Sequence, residues 1–170
     1  RFLTVKYILI NLFIAIFLYL IDTFFFNQGV ISFLIGLVII SVFLILTVIA
    51  LFRKNKSLVL SRVTVMVIYI LMILTVLSSI RFLDNLALKR AEILIKACNE
   101  YKVKCGNFPD KLEELVPDFI SSIPAAKPVF FEPRFNYISE KSNHTIWYVV
   151  CPPFGRAFYN LETGKWSYLD

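Results

Sequence analysis

Three cysteines, one histidine and a few adjacent carboxylates are the side chains of this 170-residue chain best able to cross-link, hold a metal or move a proton. Cys98 and Cys105 stand seven residues apart, about 10 Å along a helix, too far for the close approach a disulfide needs. Cys151 can reach either partner, and Cys105–Cys151 is the pairing expected; three unpaired small core residues are the alternative. No C-x-x-C spacing accompanies His144, so no zinc site is expected. His144 lies in Ser142-Asn143-His144-Thr145, which reads as a solvated turn before a strand and contains a glycosylation sequon. Glu113 and Glu114 read as the solvent face of a short helix. No serine sits in a nucleophile elbow, and five glycines form no phosphate loop. The expectation is a non-enzymatic protein with no cofactor and no metal.

The elements that carry these residues fall into two parts. The chain is 58% hydrophobic and 18% charged, with mean hydropathy +0.73, more apolar than one globular core requires. Between Tyr7 and Ile80 the charged residues are Asp22, Arg53, Lys54, Lys56 and Arg62 alone. Three apolar runs, at about 7–26, 30–52 and 58–80, each match the roughly 20 residues that cross about 30 Å of hydrocarbon. Residues 1–80 are therefore expected to be a transmembrane anchor and residues 81–170 a separate domain. Asp22 is expected at headgroup level and Arg62 to snorkel to the surface, while Asn11 lies deeper, where it can bond a neighbouring helix. Ser32 and Gly36 make a small-xxx-small pair suited to close helix approach.

Charge gives the orientation. Residues 1–80 hold six basic residues and one acidic, whereas residues 81–170 hold twelve basic and eleven acidic. The net +6 is thus a membrane-flank signal, and no nucleic-acid partner is expected. Arg1 and Lys6, then Arg53, Lys54, Lys56 and Arg62, lie on the same side if the chain crosses twice between them. The positive-inside rule makes that side cytoplasmic, with the N-terminus, and puts residues 81–170 outside.

From Arg81 the pattern becomes amphipathic. Leu83, Leu86, Ala87, Arg90 by its stem, Leu94, Ala97, Cys98 and Tyr101 recur at steps of three and four. One helix from about Ser61 to Lys104 is expected, ended by Gly106. Asp110 and Glu113 have capping-box spacing for a short helix that Pro117 stops. Strands are expected near Phe135–Glu140, at Thr145–Cys151, Ala157–Leu161 and Lys165–Leu169, the last two joined by Glu162-Thr163-Gly164. Pro152, Pro153 and Gly155 are expected to turn the chain. The fold class expected is a membrane α+β protein, with the long third helix packed on an antiparallel β-meander.

A long helix leading through A-x-x-x-Y to G-N-F-P-D-x-L-E-E-L-V-P and then a meander resembles the type IV pilin-like domain. The nearest likeness is the major pseudopilin of type II secretion. The matching residues are Ala97, Tyr101, Gly106, Phe108, Pro109, Leu112, Leu115 and Pro117, within a likeness covering roughly residues 60–170. The resemblance implies an αβ roll and an extracytoplasmic domain. The third run lacks the Gly–Phe junction and the Glu of that family, and two apolar runs precede it, so processing and filament assembly are not expected. The C-terminal stretch carries only Glu162 and Asp170 as acidic residues, so no calcium site is carried over.

The function expected is display of a pilin-like domain from a bacterial cytoplasmic membrane, in a secretion, pilus or envelope assembly. Its partners would be the lipid bilayer and other envelope proteins or further copies of itself. An extracytoplasmic sensor or ligand-binding module, or an accessory subunit of a membrane enzyme, is the alternative.

Overall fold

The computed structural model describes residues 2–27, 29–140, 143–151 and 155–169. The chain divides into two compact units, Arg1–Ile80 and Arg81–Asp170. Among the described residues, three helices are long and apolar enough to cross a membrane. They are α1 (Phe2–Ile21), continued by a π-helical turn Asp22–Phe26, then α2 (Val30–Phe52) and α3 (Lys56–Cys105). The absence of Pro and Gly from Lys56 to Cys105 lets α3 run without a break.

Within the first unit, packing uses small and polar residues. Gly36 lies so near α3 that a Cβ there would meet Ile73 Cδ1 at 2.8 Å, and Gly29 would meet Ile80 Cδ1 at the same distance. Ser32, between them, is buried. Asp22 is fully buried rather than at an exposed interface, because its carboxylate caps α2. Oδ1 accepts the Gly29 N–H at 2.9 Å and Oδ2 the Ser32 N–H at 2.8 Å, satisfying donors that a helix start leaves open. Asn11 does bond a neighbouring helix: Tyr69 donates its hydroxyl to Asn11 Oδ1 at 3.4 Å. Arg62 turns to α2 and donates to the Leu46 carbonyl.

The second unit pairs one segment of α3 with a four-stranded antiparallel sheet in the order β1-β2-β3-β4. The strands are β1 (Asn136–Glu140), β2 (Asn143–Cys151), β3 (Gly155–Asn160) and β4 (Lys165–Leu169). Gly164, at φ 66°, closes the β3–β4 hairpin, in the left-handed conformation that glycine adopts without strain. The expected Pro152-Pro153 turn lies outside the described residues, as does Ser142. Ala87, Ala91, Leu94, Ala97 and Cys98 of α3 share one core with Ile146, Tyr148, Ala157 and Leu161. The small residues let the helix approach the sheet, and the large strand residues fill the space.

The capping box does not form. The segment after Gly106 is a 3₁₀ turn, Leu112–Leu115, without a side-chain cap. Glu114 takes the polar role instead, accepting the Tyr101 hydroxyl at 2.8 Å and the Asp110 N–H at 3.4 Å. A four-residue turn buries Leu112 and Leu115 without needing the orphan donors of a longer helix satisfied reciprocally.

Candidate functional site

Residues 106–117 form the joint between α3 and the sheet. Gly106 has φ 88° and donates its N–H to the Lys102 carbonyl at 2.8 Å, ending the helix. Phe108 is buried under Lys102, whose ammonium stands 4.2 Å from the ring centroid, a cation–π contact. The Pro109 carbonyl accepts the Tyr137 hydroxyl at 2.8 Å. Leu112 and Leu115 enter the core with Ala97, Tyr101 packs on Phe119 with centroids 5.3 Å apart, and Pro117 is exposed. These residues hold the domain together; their geometry is that of a core joint, with Phe108 buried in it and Tyr101 packed against it.

His144 is placed within β2, not in a solvated turn, because the strand begins at Asn143. Its Nδ1 meets Glu162 Oε1 at 2.5 Å, and Glu162 Oε2 accepts its backbone N–H at 2.9 Å. Partial burial of Glu162 works against its ionisation, yet the two hydrogen bonds from His144 outweigh it and hold the carboxyl below its usual range. Tyr101 is pushed up to about 12, first by its hydrogen bond to Glu114. Cys98 is pushed up to about 12 by burial, which leaves it an inert core thiol.

Cys105 is a free, exposed thiol, so the expected Cys105–Cys151 bridge is absent. The side chain of Cys151 lies outside the described residues, but the chain direction explains the result. Phe108, just past α3, packs on His144 at the start of β2, with centroids 5.2 Å apart. At the opposite end of the helix, Lys127 pairs with Asp84 and donates to the Val150 carbonyl at 2.7 Å. Helix and strand therefore run antiparallel, and Cys105 stands roughly 30 Å along α3 from the end where Cys151 lies.

The Asp84–Lys127 pair was not visible in the residue pattern. Lys127 is 1% exposed, and its charge is met by Asp84, the Val150 carbonyl and the Tyr148 ring face, 5.7 Å away. With Arg90, whose Nη1 donates to the Ala125 carbonyl at 2.9 Å, it fastens the loop before β1 to α3.

Concavities open among the described residues of this unit. One, of about 720 Å³, lies between α3 and the β3–β4 hairpin. Ile95, Val103, Tyr159 and Trp166 supply its apolar lining, and Glu92, Lys96, Asn99 and Glu100 its polar rim. Val103 is 88% exposed. Beside it, β4 pairs only with β3 among the described residues, leaving an open sheet edge. The second, of about 540 Å³, is polar and lined by Lys102, Phe108, Asp110, Glu140, His144 and Glu162. No cluster of three or more potential His, Cys, Asp or Glu metal ligands occurs among the described residues.

No protein-family model, no curated protein and no solved structure matches this chain.

Proposed function

We propose that the chain is a multi-pass protein of a bacterial cytoplasmic membrane, with its N-terminus cytoplasmic, that displays a pilin-like domain outside for protein–protein interaction. The observation that carries the interaction reading is the groove of Ile95, Val103, Tyr159 and Trp166 beside the open edge of β4. An extended segment of another envelope protein, in a secretion, pilus or related assembly, fits there. Its backbone would add to β4 while alternate apolar side chains enter the groove. The apolar helices support membrane anchoring by length and composition.

Photo-crosslinking tests this reading. A crosslinking amino acid in place of Val103 should capture one discrete protein in intact cells, and Trp166→Asp should abolish the product without unfolding the domain. Capture that is diffuse, or unchanged by Trp166→Asp, would remove the groove from the function.

The polar cavity favours a second reading, a small-ligand sensor. Its lining sets Lys102 against Asp110, Glu140 and Glu162, which suits a polar ligand bearing both charges. Ligand-dependent stabilisation of the full-length protein, lost in Lys102→Gln, would favour this reading over the groove.

A further inference from the structure

The loop leading into β1 carries a surface that the groove does not use. Between Ala126 and Pro133 the chain closes on itself: the Pro133 carbonyl accepts the N–H groups of Ala126 at 2.7 Å and Lys127 at 3.3 Å. Pro128 and Pro133 each fix their own φ. Glu132 adopts a left-handed φ of 50°. At the tip of this stiff loop stand Phe130 and Phe131, 71% and 52% exposed. Their rings pack edge to face with centroids 5.7 Å apart. Two adjacent phenyl rings presented this way leave considerable apolar surface to be covered.

Their place in the unit identifies what covers them. Lys127, at the base of the loop, pairs with Asp84. Asp84 comes four residues after Ile80, about 6 Å along α3, where the apolar stretch of that helix ends. The loop base therefore stands at the end of the domain where α3 passes into apolar sequence. Arg81 and Phe82 are exposed on the helix near that end. Arg134 follows the loop and is exposed, and Arg156 of β3, paired with Leu169 of β4, is exposed near the Val150 end of β2. Aromatic rings flanked by arginines match the chemistry of the bilayer interface, where rings sit at headgroup level and guanidinium groups bind phosphate.

We propose that the Phe130–Phe131 loop is an interfacial anchor. Both rings enter the headgroup–acyl boundary of the phospholipid bilayer that α3 crosses, and Arg81, Arg134 and Arg156 engage lipid phosphates. The proposal rests on the membrane-spanning reading above. It adds a second attachment to the helix, so the domain is restrained from swinging about α3.

The test uses the full-length protein reconstituted in vesicles of mixed zwitterionic and anionic phospholipid. An environment-sensitive fluorescent amino acid replaces Phe131, Val103 or Leu44, one per sample. At Phe131 the emission should shift to the blue and be quenched by brominated lipid more than by aqueous iodide. Val103 should show the reverse, and Leu44 should be quenched by lipid alone. A probe at Phe131 that behaves like the one at Val103, while Leu44 remains lipid-quenched, overturns the anchor and leaves the membrane reading intact. Iodide quenching at Leu44 overturns the membrane reading itself. Arg134→Glu with Arg156→Glu should lower lipid quenching at Phe131 by about twofold or more in anionic vesicles. Unchanged quenching would remove the arginines from the anchor.

Discussion

The two units place their side chains in opposite ways. In the first, Phe13 and Leu60 are exposed to 71% and 70%, whereas Asn11, Asp22, Thr23, Asn27 and Ser32 are buried. In the second, Leu94, Leu115, Ile146 and Tyr148 are buried, and most charged groups lie outside. The first unit has too little apolar interior to be held by water exclusion, so close helix approach and interhelical hydrogen bonds do the work. The second follows the rules of a water-soluble core. A buried polar group thus has different meanings on the two sides of Ile80: a common fastening before it and an exception needing a partner after it.

The largest effect expected is at that exception. Asp84→Ala should destabilise the second unit by about 3–5 kcal/mol, because it leaves the Lys127 ammonium buried without its carboxylate. Asp84→Leu with Lys127→Met should recover most of the loss. Amide hydrogen exchange of the full-length protein reads both, and an Asp84→Ala variant as protected as the parent would show that the buried Lys127 charge does not depend on its carboxylate. Next, Leu94→Ala should cost about 2–5 kcal/mol by opening a cavity. Leu60→Ala, on an exposed apolar face, should leave thermal stability in detergent nearly unchanged.

In the first unit, Gly36→Leu should force α2 from α3 and cost about 1–3 kcal/mol, visible as a lower melting temperature in detergent. Asp22→Ala should cost about 1–2 kcal/mol through the lost cap of α2. Loss of protection at the Gly29 and Ser32 amides would locate that effect.

The smallest effect concerns pH. Glu162 has a lowered folded pKa, so its contribution is present above the unfolded carboxylate value and is lost as pH falls through the lower folded value. Acid titration of the protein should therefore show a slight destabilisation in the acid range that Glu162→Gln removes. An identical acid limb in that variant would take His144–Glu162 out of the stability of the domain.

Much of this architecture is legible in the sequence because its signals are local. Apolar runs of helical length, the charge change near Ile80, and glycine in Glu162-Thr163-Gly164 each report on their own neighbourhood. Contacts between distant segments are not written that way. Asp84 looks like a solvent-facing helix residue until the loop containing Lys127 is laid across it. Cys105 and Cys151 look pairable until helix and strand are seen to run in opposite directions. The Asp110–Glu113 spacing fits a capping box, but Tyr101 draws Glu114 into another bond. Of the groove residues, Tyr159 and Trp166 fall within the strands expected at Ala157–Leu161 and Lys165–Leu169. Val103 falls off the apolar stripe of α3, and that same displacement exposes it at the groove.

The proposed topology can be tested on a thiol the protein already has. Cys105 is free and exposed, so a membrane-impermeant maleimide added to spheroplasts should label it without lysis, and Cys105→Ser should remove that label. A cysteine in place of Asn55, between α2 and α3, should be labelled only after lysis. Labelling of Asn55→Cys from outside, with Cys105 protected until lysis, would contradict the display of this domain beyond the membrane.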